Sequence, residues 1–135
     1  MAIHYHPEQG TILICDFVGL KSPEMVKRRP VVVVSPRSRS KTGLCTIVPC
    51  STTEPLPLLP YHHKLYLTPQ LPKPYDSHSC WVKADMIYTV SFDRLSLPHN
   101  GKDAAGKRIY DIRVLDKLEL AQIQQCMLIS LGLTL

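Results

Sequence analysis

Through most of this chain apolar residues recur in the two-residue rhythm of strands, and only the C-terminal stretch changes to helical spacing. Residues 10–18 read as a strand with Ile12, Ile14 and Asp16 on one face and Leu13, Cys15 and Phe17 on the other. Both faces are mostly apolar. A polar loop follows over residues 19–29. Pro30 then opens a strand where its missing N–H costs least, and the run Val31-Val32-Val33-Val34 is stiff, β-branched and suited to burial on both faces. This is the expected central strand. Residues 36–43 form a basic turn, and residues 44–52 return as the second arm of a long hairpin.

Residues 54–60 are proline-rich and extended, and residues 61–67 are a candidate strand. Pro69, Pro72 and Pro74 exclude a helix from residues 68–77. A strand over residues 80–84 comes next. Residues 86–97 are rich in strand formers, residues 98–106 read as a turn region with two glycines, and residues 107–114 contain a short final strand. Asp116 stands three residues before Glu119, the spacing of a capping box, and Leu120, Ile123, Met127 and Leu131 recur at helical intervals before Gly132. With no repeat and no linker, residues 1–135 make one domain. The expected fold is mainly β with α: a small, strongly bent sheet or barrel closed by a C-terminal helix.

A chain of 135 residues buries about two thirds of its unfolded surface on folding, so it needs neither disulfide nor metal to hold together. The five cysteines are odd in number and lack CxxC spacing, which fits a reducing cytoplasm. Cys45 and Cys50 differ by an odd number and so point to opposite faces of a strand. The N-terminus carries no basic region followed by an apolar core, and no apolar run approaches the roughly 20 residues of a membrane span. His4 with His6, His62 with His63, and His78 with Cys80 have no third ligand at sensible spacing, so neither a metal nor another cofactor is expected.

Charge adds a direction. The formal net charge of +5 is moderate, but between Glu24 and Glu54 there is no carboxylate, while Lys27, Arg28, Arg29, Arg37, Arg39 and Lys41 crowd together. Such a segment draws a polyanion, nucleic acid first of all. Cutting RNA without a metal requires a base for the ribose 2′-OH, an acid for the leaving 5′ oxygen, and donors for the charge building on phosphate. Arg29 can hold the charge, and Ser51 or Thr52 can donate. Strand geometry puts Trp81, Lys83 and Asp85 on one face: a ring to stack an unpaired base, an acid or phosphate clamp, and a base. Plainer roles stand beside these. Arg28 can be a solvated loop end, Ser51 and Thr52 can satisfy backbone groups, Trp81 can be core or interface, Lys83 and Asp85 an exposed ion pair, and Glu24 a steadying charge for the loop.

Four segments in order carry a resemblance: Gly10-Thr11-Ile12-Leu13-Ile14-Cys15-Asp16-Phe17, Glu24 seven residues before Val31, Arg29-Pro30 opening the valine strand, and Val48-Pro49-Cys50-Ser51-Thr52. Together, over residues 10–97, they resemble the MazF/PemK family of toxin ribonucleases. The resemblance implies an SH3-like barrel of the CcdB/MazF/PemK type with an appended helix. It implies a cytoplasmic homodimer that cuts single-stranded RNA at short sequences without metal, leaving a 2′,3′-cyclic phosphate and a 5′-hydroxyl. The implied partner is an antitoxin whose disordered acidic segment lies across the basic cleft. By position Arg29 matches the family's catalytic arginine, Ser51 its catalytic threonine, Thr52 the neighbouring hydroxyl and Glu24 the loop acid. Asp85 and Lys83 match the base and the arginine acid of the PemK branch. Lys27, Arg28, Arg37, Arg39, Lys41 and Trp81 are then RNA contacts. The chain departs from the pattern with serine for threonine at Ser51, lysine for arginine at Lys83, and Pro23 where PemK-like sequences often carry histidine. Two alternatives remain: a gyrase poison like the CcdB branch, although the end Leu131-Gly132-Leu133-Thr134-Leu135 lacks that branch's tryptophan, and an RNA-binding barrel without catalysis.

Overall fold

The computed structural model describes residues 2–38 and 43–133, so Arg39 and Lys41 lie outside the described residues. In chain order the elements are β1 (Ile12–Cys15), β2 (Arg29–Val33), β3 (Leu44–Ser51), β4 (His62–Tyr66), β5 (Ser79–Lys83), β6 (Tyr88–Ser91), β7 (Leu95–Ser96), β8 (His99–Lys102), β9 (Arg108–Tyr110) and α1 (Lys117–Ser130). A 3-10 turn, Phe92–Arg94, joins β6 to β7.

β2 is central, as its valines require. It pairs antiparallel with β1, where Ile12 faces Val32, and with β3, where Val32 faces Val48. The sheet runs β4-β5-β3-β2-β1-β7, and β6 also pairs with β3. Along one edge β3 exchanges partners, taking β6 over residues 44–47 and β5 at Cys50 and Ser51. Among the described residues the sheet stays open at β4 and β7, and with its one C-terminal helix it keeps the expected class, mainly β with α.

Period-two geometry divides the core between the two faces of this sheet. Ile12, Val32, Val34, Val48, Cys50, Leu65, Cys80 and Val82 gather on one face, where Ile123 of α1 and Leu71 of the proline-rich loop cover them. Leu13, Cys15, Val31, Val33, Cys45 and Ile47 gather on the other, under Phe17, Met25 and Leu95. Consecutive valines therefore serve opposite cores. Burial pushes the Cys15 thiol up to about 12, and it raises Cys45 and Cys126 as well. All five cysteines are buried and unpaired, so these three act as small hydrophobes.

The helix start follows only half of its expected box. Asp116 accepts the Glu119 N–H at 2.8 Å, but the Glu119 carboxylate turns instead to His63, with Oε1 3.3 Å from Nε2. The carboxylate therefore lies beside β4, close to His63 without forming a hydrogen bond to Nε2. The buried stripe is Leu120, Ile123 and Cys126, while Leu131, expected to face inward, is exposed past the helix end. There Gly132, at φ +71°, allows Leu133 N–H to reach the Leu128 carbonyl at 2.8 Å. Gly10 is fixed for another reason: at φ +94°, a Cβ would lie 3.3 Å from the Leu115 carbonyl oxygen, where the chain enters α1.

Residues 98–106, expected as a turn, contain β8, which pairs with β9 to form a separate two-stranded sheet. A register irregularity between His99 and Lys102 absorbs Gly101, at φ +72°, within the strand.

Candidate functional site

Arg29 begins β2 and Ser51 ends β3. Their ladder runs as far as Val31 opposite Pro49, so the next same-face positions in that register are Arg29 and Ser51. Ser51 in turn lies directly opposite Trp81 of β5. Thr52, one residue beyond the strand, is exposed and shares a cavity of about 160 Å³ with Arg28, Arg29, Cys50, Tyr75 and Cys80. The two hydroxyls part at the strand end: Thr52 lines the cavity, whereas Ser51 is only 4% exposed and its Oγ accepts the Thr53 N–H at 3.2 Å.

Arg29 is set apart electrostatically from its neighbour. Arg28 reaches Asp16 at 3.2 Å. Arg29 makes no ion pair among the described residues, and its Nε is shielded from solvent without a hydrogen-bond partner. A buried donor left unpaired costs on the order of 1–3 kcal/mol, more when charged, so this position asks for an acceptor. Below it the Cys50 thiol is held well above the usual thiol range by a hydrogen bond with Cys80 and by burial. The cavity floor is therefore uncharged on Cys50 at neutral pH.

The other expected residues are distributed around this centre. Trp81 is half-buried with Lys64 Nζ 5.7 Å from its ring centroid, a cation–π contact that already occupies one side of the ring. Lys83 is on the Trp81 face of β5, about 7 Å further along at strand spacing, and is paired with His62 of β4. Asp85 lies past the end of β5 and is exposed, which corrects the picture of three side chains on one strand face. Glu24 is exposed in the loop before β2, where its carboxylate accepts the Lys21 N–H at 3.0 Å. The loop is anchored nearby by Met25 N–H on the Tyr88 hydroxyl.

The basic segment does not form one patch. β2 carries Arg37 away from Arg29, and the Arg37 guanidinium donates to the His6 carbonyl at 2.8 Å in a second cavity with Glu8 and Thr11. Lys27 is exposed beside Arg28. Residues near in sequence were separated by the strand between them. Conversely, Lys73 and Tyr75 reach the site from a loop whose prolines were legible but whose path was not; Lys73, Tyr75 and Arg28 line a further cavity of about 180 Å³ beside the first.

His62 has a consequence for stability. Burial lowers its pKa below the ordinary 6.5, opposed by the Asp85 carboxylate and assisted by the Lys83 ammonium, and Nδ1 accepts the Leu59 N–H at 3.0 Å. Between the folded and unfolded pKa values the unfolded chain binds more protons, so stability is held above about pH 6.5 and declines as pH falls below it. Urea midpoints at pH 7.5 and pH 5.5 should differ less in His62→Gln than in the parent. An equal decline in both would remove His62 as the source.

Among the described residues no three His, Cys, Asp or Glu side chains gather where a metal could be held. Nor is any described helix long and apolar enough to cross a membrane.

A protein-family profile described as "PemK-like, MazF-like toxin of type II toxin-antitoxin system" matches residues 8–131. The Escherichia coli K12 protein named "Endoribonuclease toxin MazF" is 42% identical over 53 residues, 38% of this chain and 48% of that protein. The chain thus spans about half the length of this relative. The E. coli K12 "Putative uncharacterized protein YifN" is 30% identical over 115 residues, 71% of this chain and 76% of that protein. Among solved structures, MazF from Deinococcus radiodurans superposes with a TM-score of 0.61 at 20% identity, covering 96% of this chain and 99% of the other. A mycobacterial "Endoribonuclease in complex with its cognate antitoxin" superposes at 0.59 and 22% identity, covering 96% and 98%. At such identities the superpositions establish a common fold.

Proposed function

The chain belongs to the family of PemK-like, MazF-like toxins of type II toxin–antitoxin systems, and on that premise we propose that it is a metal-independent, sequence-specific endoribonuclease acting on single-stranded RNA. The observation that carries the reading is the shielded, unpartnered Nε of Arg29 at the cavity shared with Thr52. In the proposed reaction the ribose 2′-OH loses its proton and attacks the adjacent phosphorus. The bond from phosphorus to O5′ breaks, and O5′ takes up a proton, leaving a 2′,3′-cyclic phosphate and a 5′-hydroxyl. Arg29 would hold the non-bridging oxygens as charge develops, with the Thr52 hydroxyl as a second donor. Ser51 would fix the turn that presents Thr52, through its bond to Thr53 N–H. Lys83, Asp85 and Glu24 do not line this cavity; from beside it a carboxylate, Asp85 or Glu24, would take the 2′-OH proton and the Lys83 ammonium would supply the proton to O5′.

The proposal extends to partners. The mycobacterial relative is described with a cognate antitoxin, and we assign to this chain an antitoxin with an acidic segment that competes for Arg29. A cytoplasmic homodimer completes the reading.

Purified protein should cut a long single-stranded RNA in EDTA and leave cyclic-phosphate termini. Uncut RNA at stoichiometric protein would overturn the assignment. Tight binding without cleavage would instead select the silent RNA-binding barrel, a reading favoured by the burial of Ser51. Inhibition of gyrase supercoiling would select the CcdB-like reading.

A further inference from the structure

The hairpin of β8 and β9 belongs to neither core. Every residue from His99 to Tyr110 is exposed, and a two-stranded ribbon of this length is marginal unless something holds it. Its base is fastened: Asp111 N–H donates to the Pro98 carbonyl at 2.8 Å, and Arg113 bridges from Asp111 at 2.9 Å to the Pro69 carbonyl at 2.6 Å. Its tip is fastened too. Asp103 N–H donates to the Lys107 carbonyl, and the Asp103 carboxylate accepts the N–H groups of Ala105 and Lys107 at 2.9 and 3.0 Å. The hairpin's lone carboxylate is thus turned onto its own backbone.

Lys102, Lys107 and Arg108 are in no ion pair among the described residues. With Gly106 and Tyr110 they line an open concavity of about 740 Å³. Three uncommitted cations beside an aromatic ring, on a frame ordered at both ends, match the chemistry of a single-stranded nucleic acid: phosphates for the cations, a base for the ring.

One ring contact, His99 with Tyr110, joins this concavity to the cavity that adjoins the candidate site. Arg28, Pro74 and Tyr75 line both the Arg29 cavity and the adjoining one. That second cavity ends at His99, whose ring meets Tyr110 edge-on at 6.5 Å. Tyr110 then opens onto Lys102, Lys107 and Arg108. Cations and rings are interspersed across the three cavities: Arg29, Lys73 and Arg108 with Tyr75, His99 and Tyr110.

We propose that the β8–β9 hairpin is a second RNA-holding element, which grips single-stranded RNA flanking the cut and leads it across these cavities to Arg29. The proposal rests on the endoribonuclease reading, and it concerns a different surface. Its grip is through backbone charge and stacking, so it tolerates any sequence while the Arg29 cavity selects. An acidic peptide would use the cations but leave Tyr75, His99 and Tyr110 without partners, which is why RNA is the better occupant.

The test compares the parent with Lys102→Ala/Lys107→Ala/Arg108→Ala on a 30-nucleotide RNA and on a hexamer containing the same cut site. The ratio of kcat/KM for long over short RNA should fall about tenfold at 0.15 M salt. The slope of log affinity against log salt should weaken by about 2, since each lost single-strand phosphate contact removes about 0.7. An unchanged ratio and slope would overturn the proposal, as would equal losses on both substrates. Should the triple variant melt early, Arg108→Gln and Lys107→Gln singly should each weaken the slope by about 0.7, and no change would again overturn it. If the parent cuts no RNA, the endoribonuclease reading fails, but binding of the uncut 30-mer still decides the hairpin by the same slope. Loss of binding to polyglutamate with RNA binding intact would transfer the surface to an acidic protein partner and overturn the RNA assignment.

Discussion

Arg29→Ala is expected to slow RNA cleavage under single-turnover conditions by about 10²–10³-fold, the range for losing one preorganised donor to a developing oxyanion. Its effect on folding should be small and can have either sign, because the substitution removes a shielded Nε that has no partner and leaves the valine ladder of β2 intact. Sites for charged ligands commonly hold groups that are unfavourable in the free protein. Arg29→Lys separates charge from shape: the ammonium keeps the positive charge and loses the planar fork, so it should recover part of the rate and none of the bidentate geometry. Cleavage by Arg29→Ala within tenfold of the parent would remove Arg29 from the reaction. Expressed in cells, the same variant should no longer arrest growth.

The rate defect should also differ from that of Arg28→Ala. Arg28 is exposed and already engaged with Asp16 at 3.2 Å, an exposed pair of the kind that contributes at most about 1 kcal/mol. Its removal should weaken RNA binding by a few-fold at low salt and less at high salt. On the proposed reading, two adjacent arginines would divide into one that reaches phosphate at the cut and one that shapes the approach.

The sequence carried the sheet well because one signal dominates it. A run such as Val31-Val32-Val33-Val34 satisfies only a strand buried on both faces, and the structure distributes these residues between two cores. The helix and its Asp116 cap were equally legible. What escaped was set by tertiary placement: the Glu119 carboxylate lies near His63 of β4, and Leu131 fell outside the buried stripe because the helix ends at Ser130. The hairpin of β8 and β9 was concealed by glycines that read as a turn, although Gly101 lies within a bulged strand.

The same contrast holds in the site. Arg29 and Thr52 were legible as residue types beside strand ends, where side chains are free to face a cavity. The placement of Lys73 and Tyr75 depends on the path of a proline-rich loop, and Asp85 left the strand face because β5 stops at Lys83. The acid-poor segment was a correct reading of composition and a poor guide to space: a strand between Arg29 and Arg37 puts neighbours in sequence into different cavities.

Ile123→Ala is expected to produce the opposite pattern from Arg29→Ala. Ile123 is fully buried at the centre of the helix contact, among Ile12, Val32, Val48 and Leu65. Truncation removes transfer free energy and leaves a cavity between two rigid elements, for a loss of about 2–5 kcal/mol. Against a total stability on the order of 5–15 kcal/mol, that is a large share. The melting temperature should drop by roughly 10 °C or more for a chain of this length. The core that Ile123 seals also holds Cys50, Leu67, Leu71 and Cys80, which line the Arg29 cavity from beneath. Cleavage should therefore survive at low temperature and fail together with the fold as temperature rises. Ile123→Val, keeping the branched Cβ and losing one methylene, should cost only about 0.5–1.5 kcal/mol. A melting temperature for Ile123→Ala within 2–3 °C of the parent would mean that α1 contributes little to closing the core, and that the sheet and the proline-rich loop hold the cavity wall without it.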